Sequence, residues 1–518
     1  MTILAPDAPV QSITPAGTIA KARLHDKMKV LLVVPPNQFT LTRIPSIGLA
    51  WLVSYLRART DYQIKLLDCL RLKERSFESW QDEILSEEYQ VVGFMMFSRD
   101  VPAVTRLAAA VKARYPRTTV VTGGAHVSAI PDHTLKKIEH VDYAIKGEGE
   151  VAFYQLCKII ENGHGNLADV PALIYRENGE IKTNCQYFEK VLDDLGFPAW
   201  DTINPKTYPH QPHGVVSRES LTAPVFATRG CPYHCTYCGA HLVVGYPIRE
   251  RSVGHVIEEM AMVHRDYGVT EFHIEDDNFT LNNKYAISFC EEILRQGHKF
   301  QFALPNGVRL NSLNPPLIKL MEKAGFYSFA VGIETATPRL LKQLKRGITL
   351  EAMGDKLKMV AANSRIQVVG YAFLGIPTET EEEMEATVKF LLDMPLSRIG
   401  LGWCNALPGT EIFNNLVKDG IIDMDTFDYS LFDVYLDCPV DITSVGMDRV
   451  KEKIAEANRR FYLRPRILWQ LIRNINSFEQ FVTAFKTGIR RLLNTNKKDH
   501  YVSEGWYDIN QTSSVGSG

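Results

Sequence analysis

The chain has few cysteines and no long apolar run, and each shortage excludes a class of protein. Only nine of its 518 residues are cysteine, too few for a disulfide-stapled secreted scaffold. No stretch reaches the roughly 18 to 20 apolar residues that a membrane-spanning helix needs. The opening MTILAPDAPVQSITPAG lacks the basic flank and apolar core of a secretory signal. We therefore expect a cytoplasmic protein without a transmembrane segment.

The chain also lacks an excess of charge of either sign. Its 58 Lys and Arg side chains nearly balance 60 Asp and Glu, for a formal net charge of -2. A nucleic-acid-binding surface would need a basic excess, so we expect no nucleic-acid partner. With 45% hydrophobic and 23% charged residues, the composition is typical of a globular protein, and the length predicts about three domains.

Strand and helix patterns alternate from residue 27 to about 165. The apolar run MKVLLVVPPN predicts a buried strand that two prolines end, and helical periodicity follows in SIGLAWLVSYLRAR. The segments YQIKLLD, VVGFMMFS and TTVVTGG predict further strands. This alternation favours a Rossmann-like open parallel sheet with helices on both faces, where ligands bind beyond the carboxyl ends of the strands.

A second alternating series begins near residue 221 and predicts a barrel. About six strand-helix pairs follow one another up to residue 415, which favours a partial (β/α)6 barrel in an α/β protein. The predicted organisation is a leader (1–26), the open-sheet domain (27–165), a linker with a hairpin at ENGE (166–220), the barrel (221–415), a helical carboxyl-terminal domain (416–505) and a tail (506–518).

Three cysteines crowd into the loop directly after the strand APVFAT. In RGCPYHCTYCGA, Cys231, Cys235 and Cys238 have the spacing C-x3-C-x2-C. Thiolates are the ligands that iron-sulfur clusters require, and a loop this short can converge three of them on one cuboidal cluster. No nearby cysteine is an obvious fourth ligand, so one iron could stay open to a small molecule. The alternatives are a structural zinc site that uses His234 or His241, and three incidental buried cysteines.

This motif resembles the signature of the radical S-adenosylmethionine (SAM) superfamily, and the resemblance covers about residues 221 to 415. Tyr237 matches the aromatic residue before the third cysteine, and Arg229 and Gly230 match the residues ahead of the first. The resemblance implies a [4Fe-4S] cluster on the three cysteines. Its open iron would be chelated by SAM, and an external low-potential electron donor would be needed.

Further segments resemble the SAM-contacting motifs of that superfamily, in barrel order. HIEDDNFTLN matches the acidic motif near the SAM amino group, LPNGVRLN and GIETA follow the next strands, and FLGIPTET and NALPGTE match late turns against adenine. Lys345, expected in the helix after GIETA, would meet the SAM carboxylate. Each motif alone could be a turn or a solvated helix start, and Glu379 departs from the usual glycine spacing. The implied SAM-binding residues are Glu275, Asp276, Asp277, Asn306, Arg309, Glu334, Lys345, Gly375, Ala406 and Leu407.

Residues 27–165 resemble the cobalamin-binding domain of one large branch of these enzymes. The resemblance depends on the order of PSIGLAWLVSYLR, VVTGGAHVS and VDYAIKGEGEVAF. Glycines after a strand let the backbone approach a large planar ring. A degenerate Rossmann-like domain without a ligand is the alternative. The implied cobalamin-lining residues are Asn37, Thr42, Arg43, Ser98, Gly123, Gly124, Gly147 and Glu148.

One departure from corrinoid proteins concerns the cobalt. The Asp-x-His-x-x-Gly loop that often ligates it is absent after the first strand, where this chain has PPNQFTLTRIPSIG. The resemblance therefore implies a cobalamin whose lower face has no histidine ligand. His126 follows a later strand, and we expect it to be structural.

The carboxyl-terminal segment is basic and aromatic. Between Asp448 and Asp499 there are 13 Lys or Arg against five Asp or Glu, interleaved with Phe461, Tyr462, Trp469, Phe478, Phe481 and Phe485. This pattern favours an amphipathic helical cap whose aromatic side chains pack on the barrel. A basic face toward an anionic substrate or a peripheral membrane surface is the alternative.

Together the resemblances imply a cobalamin-dependent radical SAM methyltransferase. Such an enzyme moves a methyl group from SAM through methylcobalamin to an unactivated carbon of a small molecule. Three alternatives stay open: cyclisation or oxidation, as in the porphyrin cyclases of this branch; methylation at phosphorus; and a non-catalytic iron-sulfur or corrinoid sensor.

Overall fold

The computed structural model describes residues 27–37, 44–71, 75–208, 217–429 and 440–473. Two mainly parallel sheets organise this part of the chain. The predicted α/β class, with an open sheet, a partial barrel and carboxyl-terminal helices, is confirmed. None of the described helices is long and apolar enough to cross a bilayer.

The first sheet has seven strands. Its elements are β1 (Lys29–Val34), α1 (Ile47–Arg57), β2 (Gln63–Asp68), α2 (Phe77–Ile84), β3 (Val91–Met95), α3 (Val101–Arg114), β4 (Thr119–Gly123), α4 (Ala125–Ala129), α5 (Pro131–Lys137), β5 (Tyr143–Ile145), α6 (Glu150–Asn162), β6 (Leu173–Glu177) and β7 (Glu180–Thr183). The strand order is β2-β1-β3-β4-β5-β6-β7. The strands β1 to β5 are parallel. Helices cover both faces of the sheet, so the side chains of β1 (KVLLVV) are buried on both faces and are almost all apolar.

The hairpin predicted at ENGE forms, but it belongs to the first sheet. β6 pairs antiparallel with β5, and β7 pairs antiparallel with β6. The sheet therefore continues to Thr183, beyond the boundary that strand-helix alternation placed at residue 165, because an antiparallel hairpin needs no crossover helix.

The second sheet has six parallel strands. The elements of its region are β8 (Thr222–Val225), β9 (Thr228–Arg229), α7 (Ala240–Val244), β10 (Arg249–Glu250), α8 (Val253–Tyr267), β11 (Glu271–Ile274), α9 (Asn283–Gln296), β12 (Gln301–Val308), α10 (Pro315–Ala324), β13 (Phe326–Glu334), α11 (Pro338–Gln343), α12 (Leu350–Asn363), β14 (Gln367–Leu374), α13 (Glu381–Asp393), β15 (Arg398–Trp403) and α14 (Glu411–Lys418). The order of the six strands in the sheet is β15-β14-β13-β12-β11-β8. β8 and β15 are its edges, so the barrel is partial. β9 and β10 form a separate short antiparallel pair.

Local capping defines the helices that separate these strands. The Ser252 side chain accepts from the His255 amide at the start of α8, and Thr380 and Glu383 form a reciprocal capping box on α13. Gly268 and Gly297 end α8 and α9 in the left-handed conformation. These caps fix where each helix begins or ends. Because the strands are parallel, the loops that follow them lie at the same edge of the sheet.

Two further helices follow the barrel, α15 (Met447–Tyr462) and α16 (Pro465–Arg473). Phe461 is fully buried, and the Tyr462 hydroxyl donates to the Ile399 carbonyl of β15 at 2.8 Å. These aromatic side chains pack on the barrel, as the cap interpretation predicts. Trp469 is 65% exposed, so the packing does not extend to it. Phe478, Phe481 and Phe485 lie outside the described residues.

Helix α1 and the connecting segment pack into the hydrophobic core of the barrel. Trp51 of α1 and Trp200 of the connecting segment lie in the same buried cluster as the barrel phenylalanines. The Trp200 Nε1 donates to Glu259 of α8 at 3.0 Å, and Glu259 forms a buried ion pair with Arg251 at 2.6 Å. This packing fixes the carboxyl edge of the open sheet against the barrel.

Candidate functional site

The cysteine loop follows β8 and is pressed against a neighbouring turn. Gly230 has a φ of +104°, and a Cβ there would lie 2.1 Å from the Pro247 carbonyl oxygen. The Cys231 amide donates to the Gly245 carbonyl at 3.0 Å. A glycine is required immediately before the first cysteine, because no side chain fits between these two segments.

The three thiols lie close enough to influence one another. Burial, with a smaller contribution from nearby Asp277 and Cys235, raises the pKa of Cys238 to about 12. The same causes raise the pKa of Cys231. Neutral thiols are therefore favoured in the free protein. A bound cationic iron cluster would reverse this preference, because metal coordination deprotonates thiols. The donor set, three sulfur atoms on one loop, fits such a cluster.

The zinc alternative receives no support from the histidines near this loop. The rings of His234 and His241 stack against Tyr246, with centroid distances of 4.3 and 4.8 Å. Among the described residues, no group of three His, Cys, Asp or Glu side chains could hold a single metal ion. A cuboidal cluster differs in that each thiolate binds a separate iron atom.

The acidic segment after β11 divides between structure and cavity. Asp276 is buried and accepts from the Ala227 amide and the Thr228 hydroxyl, both at 2.8 Å. Burial raises its pKa to about 7. Asp276 therefore fixes the chain that leads into the cysteine loop, and its carboxylate is already occupied. Glu275, directly before it, is also buried.

Asp277 is the acidic residue that faces open space. It lines the cavity described below and lies near Cys231 and Cys238. Burial by the surrounding atoms raises its pKa to about 6. Behind it, the Asn306 side chain donates to the Glu275 carbonyl at 2.7 Å, so Asn306 fixes the turn that presents Asp277.

Glu334 ends β13 in a strained conformation beside the cysteine loop. Its φ is +61°, which costs a non-glycine residue roughly 1 to 2 kcal/mol. Its Oε1 accepts from the Tyr237 hydroxyl at 2.8 Å. Burial and then Glu334 raise the pKa of Tyr237 well above its ordinary value. Tyr237, the aromatic residue of the cysteine motif, therefore joins the loop to the end of β13.

Lys345, predicted to meet the SAM carboxylate, pairs with a half-exposed glutamate in this structure. Helix α11 ends at Gln343, and Lys345 has a φ of +56°. Its side chain is 49% exposed, and its Nζ donates to Glu411 at 2.5 Å. The chain turns at Lys345, and its ammonium group is paired with a carboxylate of the protein.

Arg346, which the motif comparison missed, contacts the cysteine loop directly. It is 8% exposed, and its guanidinium donates to the Gly332 carbonyl at 2.6 Å and the Tyr237 hydroxyl at 3.1 Å. Burial alone would lower its pKa, but Glu334 3.5 Å away and the neighbouring Tyr237 and Cys235 raise it. The dipeptide Arg346-Gly347 after a helix was the available signal.

Arg309 provides a second guanidinium on the same side of the loop. It stacks over the Tyr233 ring at 3.5 Å and donates to the Arg346 carbonyl. Its Nη1 lies 3.9 Å from the Cys235 sulfur. Of the predicted residues, Arg309 and Glu334 therefore surround the cysteine loop directly.

The late turns of the barrel are held by a carboxylate. Glu379 Oε2 accepts from the amides of Gly375 at 2.6 Å and Ile376 at 3.1 Å, and burial raises the Glu379 pKa to about 7. This contact explains the departure from glycine spacing, because Glu379 closes the turn after β14. Ala406 is buried in the adjacent apolar cluster, and Leu407 is 37% exposed.

A cavity of about 280 Å³ opens between the two sheets. Of the cobalamin-lining candidates, Gly123, Gly124, Gly147 and Glu148 form one side. The other side comes from the barrel region, with Phe226, Thr228, Arg229, Val243, Val244 and Asp277. Gly124 has a φ of +109°, and a Cβ there would lie 2.9 Å from the Met96 carbonyl oxygen. Gly123, Gly124 and Gly147 together form a glycine wall of the cavity, which leaves room for a flat group.

Two further cobalamin candidates, Asn37 and Ser98, are not among the residues that line this cavity. The Asn37 side chain donates to Asp100 at 2.7 Å, and the Ser98 hydroxyl contacts His126 Nδ1 at 3.0 Å. Thr42 and Arg43 lie outside the described residues. Burial lowers the pKa of His126 to about 3, so this ring is neutral near pH 7.

Buried ion pairs connect the glycine wall to the cysteine loop. Glu148 pairs with Arg249 of β10 at 2.6 Å, and Glu150 pairs with Arg229 of β9 at 2.8 Å. Arg229 also lies 3.4 Å from Glu148. Because Arg229 lies two residues before Cys231, the GEGE loop of the first sheet is joined directly to the segment that carries the cysteines.

Comparisons with known proteins match both halves of the chain. The family model described as the Radical SAM superfamily matches residues 225–391, and the one described as the B12 binding domain matches residues 40–157. The two matched ranges contain the cysteine loop and the glycine wall.

Two curated relatives and one solved structure extend these matches. An uncharacterized methyltransferase of Pyrococcus horikoshii is 29% identical and covers 90% of this chain and 98% of its own length. Cytidylyl-2-hydroxyethylphosphonate methyltransferase of Streptomyces wedmorensis is 26% identical, with coverages of 86% and 92%. The fold resembles that of the radical S-adenosylmethionine methyltransferase TsrM from Kitasatospora setae, solved with tryptophan and a SAM analog. Its TM-score is 0.66 at 17% identity, over 85% of this chain and 90% of that one.

Proposed function

We propose that this chain, which matches both the Radical SAM superfamily model and the B12 binding domain model, is a cobalamin-dependent methyltransferase. We propose further that it transfers a methyl group from SAM to an unactivated carbon of a small molecule. The two curated relatives described above, which align over most of this chain and of their own length, are named methyltransferases, and this supports group transfer as the reaction class.

One observation carries the proposal: a single cavity is lined by both cofactor domains. Gly123, Gly124 and Gly147 contribute one wall, and Asp277, beside the cysteine loop, contributes the other. A methyl donor held by the first sheet and a radical generated at the barrel would have to meet a substrate in one place. The apolar lining, which includes Trp51 and Phe226, would keep water away from that place.

The chain itself would hold, orient and shield the reactants. Cys231, Cys235 and Cys238 would hold the cluster, and Glu334 and Asp277 would bind polar groups of SAM. When bound, the cluster would supply the electron that cleaves SAM, and cobalamin would carry the methyl group. The buried pairs between Glu148 and Arg249 and between Glu150 and Arg229 would keep the two cofactors at a constant separation.

The first test needs no substrate. Protein reconstituted anaerobically with iron, sulfide and hydroxocobalamin is reduced with titanium(III) citrate and given SAM with a deuterated methyl group. We expect S-adenosylhomocysteine and deuterated methyl on cobalamin, detected by mass spectrometry, together with slow 5'-deoxyadenosine release. A fully reconstituted protein that never transfers the label to cobalamin would contradict the proposal.

The matched variants are Cys235→Ala and Cys185→Ala. The first removes a proposed cluster ligand, and the second removes an exposed free cysteine outside the motif. We expect C235A to lose the cluster absorption and 5'-deoxyadenosine, and C185A to keep both. Once a substrate is found, a labelled product that is 17 mass units heavier, as a deuterated methyl group replacing hydrogen requires, would establish methylation, whereas cyclisation or oxidation would leave the label out.

A further inference from the structure

Cys235 lies between two buried or half-buried guanidinium groups. The Nη1 atoms of Arg346 and Arg309 are 3.8 and 3.9 Å from its sulfur, within the range of N–H to sulfur hydrogen bonds. Cys235 is itself only 9% exposed. The two positive charges therefore act on this sulfur mainly through the protein interior. Screening of charges is weaker there than in solvent.

Arg346 is fixed in this position by several partners. It donates to the Gly332 carbonyl and the Tyr237 hydroxyl, and Glu334 lies 3.5 Å from its Nη2. A Cβ on Gly332 would lie 2.2 Å from Glu334 Oε1 and 2.8 Å from Arg346 Nη2. A side chain at 332 would force this pair to shift from its present arrangement, and the strained backbone of Glu334 is part of that arrangement.

We propose that Arg346 is a positioning and charge-tuning residue, which raises the reduction potential of the cluster through Cys235 and is itself balanced by Glu334. The proposal rests on the proposed function, because it assigns the cluster to these cysteines. A reduced cluster carries one more negative charge than an oxidised one, so a nearby cation and N–H donors to a ligand sulfur favour the reduced form. The carboxylate of Glu334 has the opposite effect.

This charge pair also explains why the site uses an arginine and not the neighbouring lysine. The planar guanidinium reaches a carbonyl, a phenol and a sulfur at once, whereas an ammonium group is a single point charge. Tyr237 belongs to the cysteine loop and Glu334 to β13, so the same guanidinium links the proposed cluster ligand to the end of β13. Arg346 can therefore adjust the potential without any movement of the loop.

The test is a potentiometric titration of the full-length reconstituted protein, followed by the electron paramagnetic resonance signal of the reduced cluster, without SAM or substrate. In Arg346→Gln we expect the ratio of reduced to oxidised cluster at a fixed potential to fall about tenfold, equivalent to about 59 mV for one electron. Arg346→Lys should lie between the parent and R346Q. Glu334→Gln should shift the ratio in the opposite direction.

Arg339→Gln is the matched control. Arg339 lies on α11, is half exposed and pairs with Glu383, so the variant has the same change of net charge away from the cluster. We expect its potential to equal that of the parent. If R346Q binds a full cluster with a ratio within twofold of the parent, the inference is wrong. If R346Q cannot hold a cluster, an E334Q ratio that is unchanged or lower than that of the parent overturns it.

This outcome is distinguishable from failure of the proposed function. A protein whose potential shifts as expected, but which never transfers the labelled methyl group, would contradict only the methyltransferase proposal. A protein that transfers the methyl group with a potential insensitive to both Arg346 and Glu334 would contradict only the tuning role.

Discussion

Replacing Glu148 by Gln should weaken the contact between the two cofactor domains. Glu148 accepts two hydrogen bonds from Arg249, at 2.6 and 2.8 Å, and lies 3.4 Å from Arg229. The side chains of Glu148 and Arg249 are each 8% exposed. The change to Gln preserves shape and removes one negative charge from a group of two acidic and two basic side chains.

The magnitude follows from burial and from the partners that remain. Breaking a buried ion pair by removing one charge typically costs about 3 to 5 kcal/mol. Here Arg249 keeps the carbonyls of Glu189 and Val244, and Arg229 keeps Glu150. We therefore expect the lower end of that range, about 3 kcal/mol in the free energy of unfolding.

The assay is urea unfolding at pH 7, followed by tryptophan fluorescence and far-ultraviolet circular dichroism, for a double-mutant cycle. The four proteins are the parent, E148Q, Arg249→Gln and the double variant. Because the two side chains are in contact, the double variant should lose less than the sum of the single losses, with a coupling energy of about 2 kcal/mol.

The control for this cycle is an exposed pair in the same chain. Lys345 and Glu411 form a single contact, and each is about half exposed, so Lys345→Gln should change stability by less than about 1 kcal/mol. Equal losses for E148Q and K345Q, or strictly additive losses in the cycle, would refute the role assigned to the buried network.

Three further predictions concern the barrel and its cap. Gly332→Ala should abolish SAM cleavage, measured as 5'-deoxyadenosine, because its Cβ would overlap the Glu334 carboxylate, whereas Gly402→Ala, which meets nothing within 4 Å, should leave cleavage unchanged. Glu379 has a folded pKa of about 7 against an ordinary value near 4.3, so the folded state binds more protons and stability should fall as pH rises from about 4 to 7; Glu379→Gln should remove this loss, about 3 kcal/mol, in urea midpoints measured across that range. Phe461→Ala should cost about 3 to 5 kcal/mol in urea unfolding because the ring is fully buried, while Trp469→Ala, at an exposed position, should cost under about 0.5 kcal/mol.

Local patterns were sufficient where a function depends on neighbours in sequence. The spacing of Cys231, Cys235 and Cys238 places three sulfur atoms on one loop, since eight residues cannot carry them far apart. Gly123 and Gly124 follow a buried strand, and the structure places both in the cavity wall. The order of strands and helices likewise predicted both sheets, because short parallel connections leave few topologies.

Side-chain direction at turns could not be predicted in the same way. Lys345 and Arg346 are adjacent, and only the structure shows that Arg346 contacts Cys235 while Lys345 pairs with Glu411. Asp276 and Asp277 show the same ambiguity. The Asp276 carboxylate accepts a hydrogen bond from the Ala227 amide, ahead of the cysteine loop, whereas Asp277 lines the cavity.

The sequence by itself determined the order of strands and helices and the candidate chemical groups, which are the three cysteines and the glycine pair Gly123 and Gly124. Only the tertiary structure decided the partners: Glu148 with Arg249, 101 residues apart, and Arg346 with Cys235, 111 residues apart. The physical reason is that the identity of a charged or donor residue does not indicate which distant residue it will pair with. The pairing exists only after two sheets have packed and excluded the water that would otherwise satisfy each group.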